Sequence, residues 1–278
     1  MKTIQTITAF AFFVFLASCT KENSLSNESL SIETSAVAAN TQEEHVNIFK
    51  GPEVQVGNGK VRSWIKITHD DQPLELGLEF TPGALENLPD EEEVGVSPHW
   101  NIPFHQKVKD VTPFDHLTLN WNPHGHPDAF FGAQHFDFHF YMMTETERMA
   151  IPAWSPATDV YFNNYPPAGY MPANYVAPPG ATAAVPAMGK HWLPMPPTSF
   201  LPFTHVMILG SYNGRFNFIE PMITLGYMQS GQSVSKDYAQ PLKFEKAGNY
   251  PTKYNVNKDE ISGHHFVSLS HFVWRNAN

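Results

Sequence analysis

The stretch Gln134-His135-Phe136-Asp137-Phe138-His139-Phe140-Tyr141 decides how this chain folds. Phenylalanines alternate with polar residues at period two, the period of a β-strand, whose successive side chains point to opposite faces. One face carries Phe136, Phe138 and Phe140, and the other carries His135, Asp137, His139 and Tyr141. The phenylalanines fix the register, because a slip of one residue would bury the ionisable face in their place. A strand of this kind lays a polar site on a packed sheet.

Similar patterning extends on both sides. Val54-Gln55-Val56 and Val61 to Ile67 flank Gly57-Asn58-Gly59, which is hairpin chemistry because Gly and Asn tolerate positive φ at the turn. Leu74 to Phe80 and His116 to Trp121 alternate apolar and polar residues. Tyr212-Asn213-Gly214 is a second hairpin turn, between strands expected at His205–Gly210 and Arg215–Ile219. Ile223 to Met228 is expected to continue the sheet, Tyr238 to Tyr254 to form edge strands and loops, and His265 to Trp274 to form the last strand. Helices are expected to be few and short. Ala84 to Leu88 makes one turn, and Thr144 to Met149 opens with a Thr cap and a Glu three residues later. Ile151 to Pro202 holds 12 of the 24 prolines and reads as an irregular, extended excursion. The expectation is an all-β, mainly antiparallel fold: a single β-sandwich or barrel-like domain over residues 46–278, with long Pro-rich loops.

The N-terminus reads as an address. Lys2 is the only charge before Lys21, and Ile4 to Leu16 is apolar but shorter than the roughly 20 residues that span a bilayer. The segment ends in Leu16-Ala17-Ser18-Cys19, which resembles a bacterial lipobox. Residues 1–18 are then a lipoprotein signal peptide, Cys19 is the lipidated residue, and residues 19–45, rich in Ser, Asn, Thr and Glu, are a flexible tether. The expected location is a bacterial membrane surface, at the outer membrane and periplasm or on the cell exterior. The expected partners are that membrane, an unidentified small molecule and, as a further option, copies of the same chain.

Composition removes several functions. The net charge is −10, from 17 Lys+Arg against 27 Asp+Glu, and there is no basic stripe, which excludes a phosphate-driven nucleic-acid binder. One cysteine excludes an intrachain disulfide framework and a Cys-based zinc finger. Gly-x-Ser-x-Gly, Walker A, Gly-x-Gly-x-x-Gly and His-Glu-x-x-His motifs are absent from the sequence.

The histidines carry the chemistry. Asn122-Pro123-His124-Gly125-His126-Pro127 sets two imidazoles on a sharp loop, and a hairpin-like return would bring His124, His126, His135 and His139 together. Met188-Gly189-Lys190-His191-Trp192 and Glu220-Pro221-Met222 add an isolated His and a carboxylate. Converging imidazoles and a carboxylate suit a divalent transition metal, zinc first, with copper or iron as alternatives. The expected ligands to one ion are His126, His135, His139 and His191. Glu220 is a fifth ligand or general base, and His124 the residue most readily left out. Asp137 and Tyr141 are expected to orient ligands from behind. Met142, Met188, Met222 and their neighbours would suit copper, but Met also fills cores.

These four motifs, spread from Asp115 to Met228, resemble an uncharacterised family of bacterial exported β-rich domains. The resemblance implies the domain type and export, and no activity. Two functions stay open on the sequence. One is a metal-dependent hydrolase or lyase. The other is a non-catalytic ligand-binding or assembly module whose histidines are structural. Histidine-based pH sensing is a weaker third.

Overall fold

The computed structural model describes residues 46–90, 97–126 and 130–278. The signal peptide, Cys19, the tether and the acidic run Glu91–Glu93 lie outside the described residues. Strands β1 (Val46–Lys50), β2 (Val54–Val56), β3 (Gly59–Thr68) and β4 (Pro73–Phe80) come first. Next are β5 (His99–Ile102), helix α1 (Gln106–Val111), β6 (His116–Asn122), β7 (His135–Tyr141), α2 (Glu145–Met149) and α3 (Asp159–Phe162). The chain continues through β8 (Tyr175–Val176), β9 (Ala184–Val185), β10 (Gly189–Pro194), β11 (His205–Tyr212), β12 (Arg215–Thr224) and α4 (Leu225–Gln229). It ends with β13 (Val234–Asp237), β14 (Gly248–Lys258) and β15 (His265–Arg275).

The strands form two open antiparallel sheets, so the architecture is a sandwich and not a closed barrel. One runs β1-β3-β4-β15-β14-β13, with β2 paired to β3, and the other runs β5-β6-β7-β12-β11-β10-β8, with β9 paired to β10. The core lies between them. Phe136 and Phe138 of β7 each meet the Phe80 ring of β4 edge-on at 5.9 Å, and Leu76, Leu78, Val267 and Leu269 belong to the same buried cluster. The phenylalanine face of β7 therefore points at the opposite sheet, as its alternation requires.

Three local expectations need correction. Ile223–Met228 does not continue the sheet. β12 stops at Thr224, whose side chain accepts from the Tyr227 N–H and caps α4. Leu225 and Met228 then pack at helical spacing against the core. Tyr238–Tyr254 is not all edge: β14 lies between β15 and β13 and pairs with β15 along 10 register positions. The Pro-rich excursion is less irregular than its composition, because β8, β9 and β10 extend the second sheet from within it. The sequence reading passed over β1, β5 and α1, which His105 caps by accepting from the Lys107 N–H.

Candidate metal centres

β7 lies between β6 and β12, and its polar face looks away from the core. The β6 register sets Asn122 opposite His135, Asn120 opposite Asp137, Thr118 opposite His139 and His116 opposite Tyr141. The β12 register sets Thr224 opposite His135, Met222 opposite Asp137 and Phe218 opposite Tyr141, so Glu220 falls beside His139. This outer face is dry. Every residue of β7 is buried. A second apolar cluster of Phe131, Phe200, Val206, Ile208 and Met222, with Phe203 and Leu193 against it, covers part of the face, and the Arg148 guanidinium lies 5.1 Å from the Tyr141 ring. Polar residues on a buried face need partners, because an unpaired buried charge is costly.

The sequence-predicted ligands gather in two groups. The first is His126, His135 and Asp137, whose ligand atoms lie within 4.8 Å of one another. His135 Nε2 is 3.3 Å from His126 Nε2 and 3.2 Å from Asp137 Oδ1, and His126 Nε2 is 4.0 Å from Asp137 Oδ2. The orientation is fixed from behind. His135 Nδ1 donates to the Ala133 carbonyl at 2.6 Å, which turns Nε2 of the neutral ring into an acceptor. Asn122 Nδ2 donates to Asp137 Oδ2 at 2.7 Å, and Ser97 in turn donates to Asn122 Oδ1 at 2.6 Å. Asp137 Oδ1 is buried and faces His135 Nε2.

The second group is His139, His191 and Glu220, under the same distance limit. Glu220 Oε1 is 3.3 Å from His139 Nε2, and its Oε2 is 3.6 Å from His191 Nε2. His191 Nδ1 donates to the Ala183 carbonyl at 3.1 Å, again leaving Nε2 as the acceptor. His139 Nε2 and Glu220 Oε2 are buried and make no hydrogen bond. His191 sits on β10, opposite Gly210 of β11, and reaches Glu220 on the next strand over. Gly210 permits this arrangement, because a Cβ there would stand 2.0 Å from the Phe218 ring, which packs on both His139 and His191.

The electrostatics separate the two groups. Burial pushes the Asp137 carboxyl up, but the adjoining His135, with His126 and His139 further off, outweighs it and holds the group below the usual carboxylate range. Burial pushes His139 down to about 3 and His191 down to about 4, so both rings are neutral near pH 7. Burial, followed by the charge of Asp137, pushes Glu220 well above its ordinary value. The first group therefore holds an anion against two imidazoles, while the second sets two neutral imidazoles around a carboxyl whose ionisation burial opposes.

Both sets fit a metal. Tetrahedral bonds of about 2.0–2.1 Å place neighbouring ligand atoms about 3.3–3.4 Å apart. The separations of 3.2 and 3.3 Å in the first group and 3.3 and 3.6 Å in the second lie near this edge, and the third edge of the first group, 4.0 Å from His126 to Asp137, would close by about 0.6 Å around an ion. The donors are all nitrogen and oxygen. Met142 and Met228 pack in the main core and Met222 in the outer cluster, so these three thioethers are used as filler.

The single four-histidine site expected from the sequence is thus divided, with β7 contributing to both halves. His124 stands outside, at 3.1 Å from the Asp90 carbonyl. Asp137, expected to stand behind the ligands, is itself a member of the first group. Tyr141 stacks between His139 and His116, at 5.6 and 4.7 Å between ring centres, and is a packing neighbour. The carbonyls of Ala133 and Ala183 and the amide of Asn122 went unread. Asn122 was visible as the first residue of the His124–His126 motif, whereas a backbone carbonyl has no sequence signal. Among the described residues, no helix is long and apolar enough to cross a membrane. No family model, curated protein or solved structure matches the chain, so the chemistry of this face stands on its own geometry.

Proposed function

We propose that this chain is an exported metalloprotein, tethered to a bacterial membrane by lipid on Cys19, that carries out metal-dependent hydrolysis at His126, His135 and Asp137. The observation that carries the reading is the convergence of His126 Nε2, His135 Nε2 and the buried Asp137 carboxylate, all within 4.8 Å of one another. Two histidines and one carboxylate form a ligand set used by catalytic zinc, which leaves a fourth position open to water or substrate. The His126 side chain is 38% exposed and gives the group an open side. A divalent ion there supplies Lewis acidity and makes a water acidic near neutral pH. The chain's own part is orientation: Ala133 aims His135, and Asn122 holds Asp137 by one oxygen, which would leave the other for an ion held there.

The test uses the full chain, extracted from membranes in mild detergent without chelator, beside His126→Ala. The expected result is loss of about one equivalent of metal in the variant, together with loss of chelator-sensitive turnover on a panel of ester, phosphoester and amide reporters. Turnover that is absent in the metal-loaded protein, or indifferent to chelator, contradicts the hydrolase reading. A second reading, an assembly or ligand-binding module, draws on the exposed apolar side chains Phe130, Val176, Met195 and Leu201 on the covering segments. Metal without turnover, together with self-association lost on replacing Met195 and Leu201 by Ser, favours it.

A further inference from the structure

We infer that His139, His191 and Glu220 hold a second zinc ion with a structural role, stapling β10 and the Pro-rich excursion to the middle of the sheet. This does not depend on the first group being catalytic. Its ligands come from β7, β12 and β10, so one ion ties together a span of four adjacent strands with β11 between. β10 is the strand through which the excursion joins the sheet, since β8 and β9 both pair with it. The same strand grips the excursion from its other side. The buried Lys190 donates to the carbonyls of Gly180 and Thr182 at 2.7 Å each, and His191 donates to that of Ala183.

Burial argues for structure over catalysis. The side chains of His139 and Glu220 are 1% and 2% exposed, and that of His191 13%. Phe218, also buried, packs against both histidines, so neither substrate nor exchanging water has a wide approach. Yet His139 Nε2 and Glu220 Oε2 lack hydrogen-bond partners. Buried polar atoms in native proteins are nearly always satisfied, and an ion bonded to all three side chains satisfies both at once, leaving His139 Nδ1 as the one atom of the group it does not reach. Two histidines and a carboxylate suit zinc here as they do at the first group, and it is the enclosure of this set, not its ligand types, that favours a structural ion.

The experiment measures zinc content, melting temperature and chymotrypsin cleavage of the full chain, using zinc alone as the added ligand. Wild type is compared with Glu220→Gln and His126→Ala. Gln keeps the shape of Glu and removes the anionic ligand, and the ion-free forms of wild type and Glu220→Gln are melted alongside as the baseline for any effect of the substitution itself. With zinc, wild type should bind two equivalents and Glu220→Gln one. The variant should melt on the order of 10 °C lower, a shift that corresponds to losing a ligand bound well above its Kd in a domain of this size. Cleavage at the exposed Tyr161 and Tyr165 should be at least about tenfold faster in the variant, the opening of the excursion being what the ion restrains. His126→Ala should lose its own equivalent, fall in melting temperature only by that ion's own linkage, and leave cleavage at Tyr161 and Tyr165 at the wild-type rate. Two equivalents retained by Glu220→Gln overturns the site. One equivalent lost with melting and cleavage unchanged overturns the structural role. Neither result bears on the first group, which His126→Ala reports separately.

Discussion

Gly210 shows how a single residue shapes the outer face. The Phe218 ring occupies the place a Cβ would take, at 2.0–2.2 Å, and from there it packs on His139, Tyr141 and His191. Gly210→Ala should destabilise by about 1–3 kcal/mol, the cost of overpacking a filled interior, and should weaken zinc at the second group without touching the first. Urea unfolding and zinc titration check this, and an unchanged midpoint would mean that Phe218 has somewhere else to go. Asn122 has the complementary role at the first group. Asn122→Ala removes the donor at 2.7 Å from Asp137 Oδ2 and should lower zinc affinity there by about 10–100-fold, as is usual for the groups that orient ligands. At this scale the sequence was partly legible. The His-x-His loop and the polar face of β7 announced ligand types, because each rests on local spacing. The division into two groups did not appear, because it depends on which β12 residue faces His139 and on a glycine two strands away from β7. Both are products of long-range register.

At the scale of the element, β7 is read by both sides of its sheet. Its inner phenylalanines meet Phe80 across the sandwich, while its outer residues supply three of the six ligands. Phe138→Ala should cost about 3–5 kcal/mol, as other large-to-small core changes do, measured by equilibrium denaturation. A cost below about 1 kcal/mol would mean the inter-sheet core is not where Phe138 packs. Period-two strands such as β4 and β6 were legible for the reason β7 was. The end of β12 was not, because Leu225 and Met228 are as apolar as a strand would want, and only the Thr224 cap turns the chain into α4. β14 was misread for another reason. Its sequence, Gly248–Lys258, is polar enough to suggest an edge, and only pairing on both flanks shows that it lies inside the sheet.

For the whole molecule, buried histidines set the acid limit of stability. Burial lowers His205 to about 4, with Lys236 adding to the effect, against an ordinary value of 6.5. The unfolded chain therefore takes up a proton at His205 between pH 6.5 and 4 that the folded chain refuses. Its contribution is whole above pH 6.5 and is lost as pH falls through about 4. In zinc-free protein, His205→Gln should flatten the fall of the urea midpoint over that range, and an unaltered slope would assign the acid loss to other groups. The membrane address is tested apart from the fold. Cys19→Ser should release the chain from the membrane fraction while leaving its zinc content and melting temperature unchanged, and continued retention would contradict lipid anchoring. The central claim is that one strand face builds two metal positions. The most direct measurement is an anomalous difference map at the zinc edge, from crystals of the protein purified without chelator. Two peaks are expected. One lies about 2.0–2.2 Å from His126 Nε2, His135 Nε2 and an Asp137 oxygen, and the other lies equally close to His139, His191 and Glu220. A map with no peak at either position, in well-ordered crystals soaked with zinc, would contradict the account.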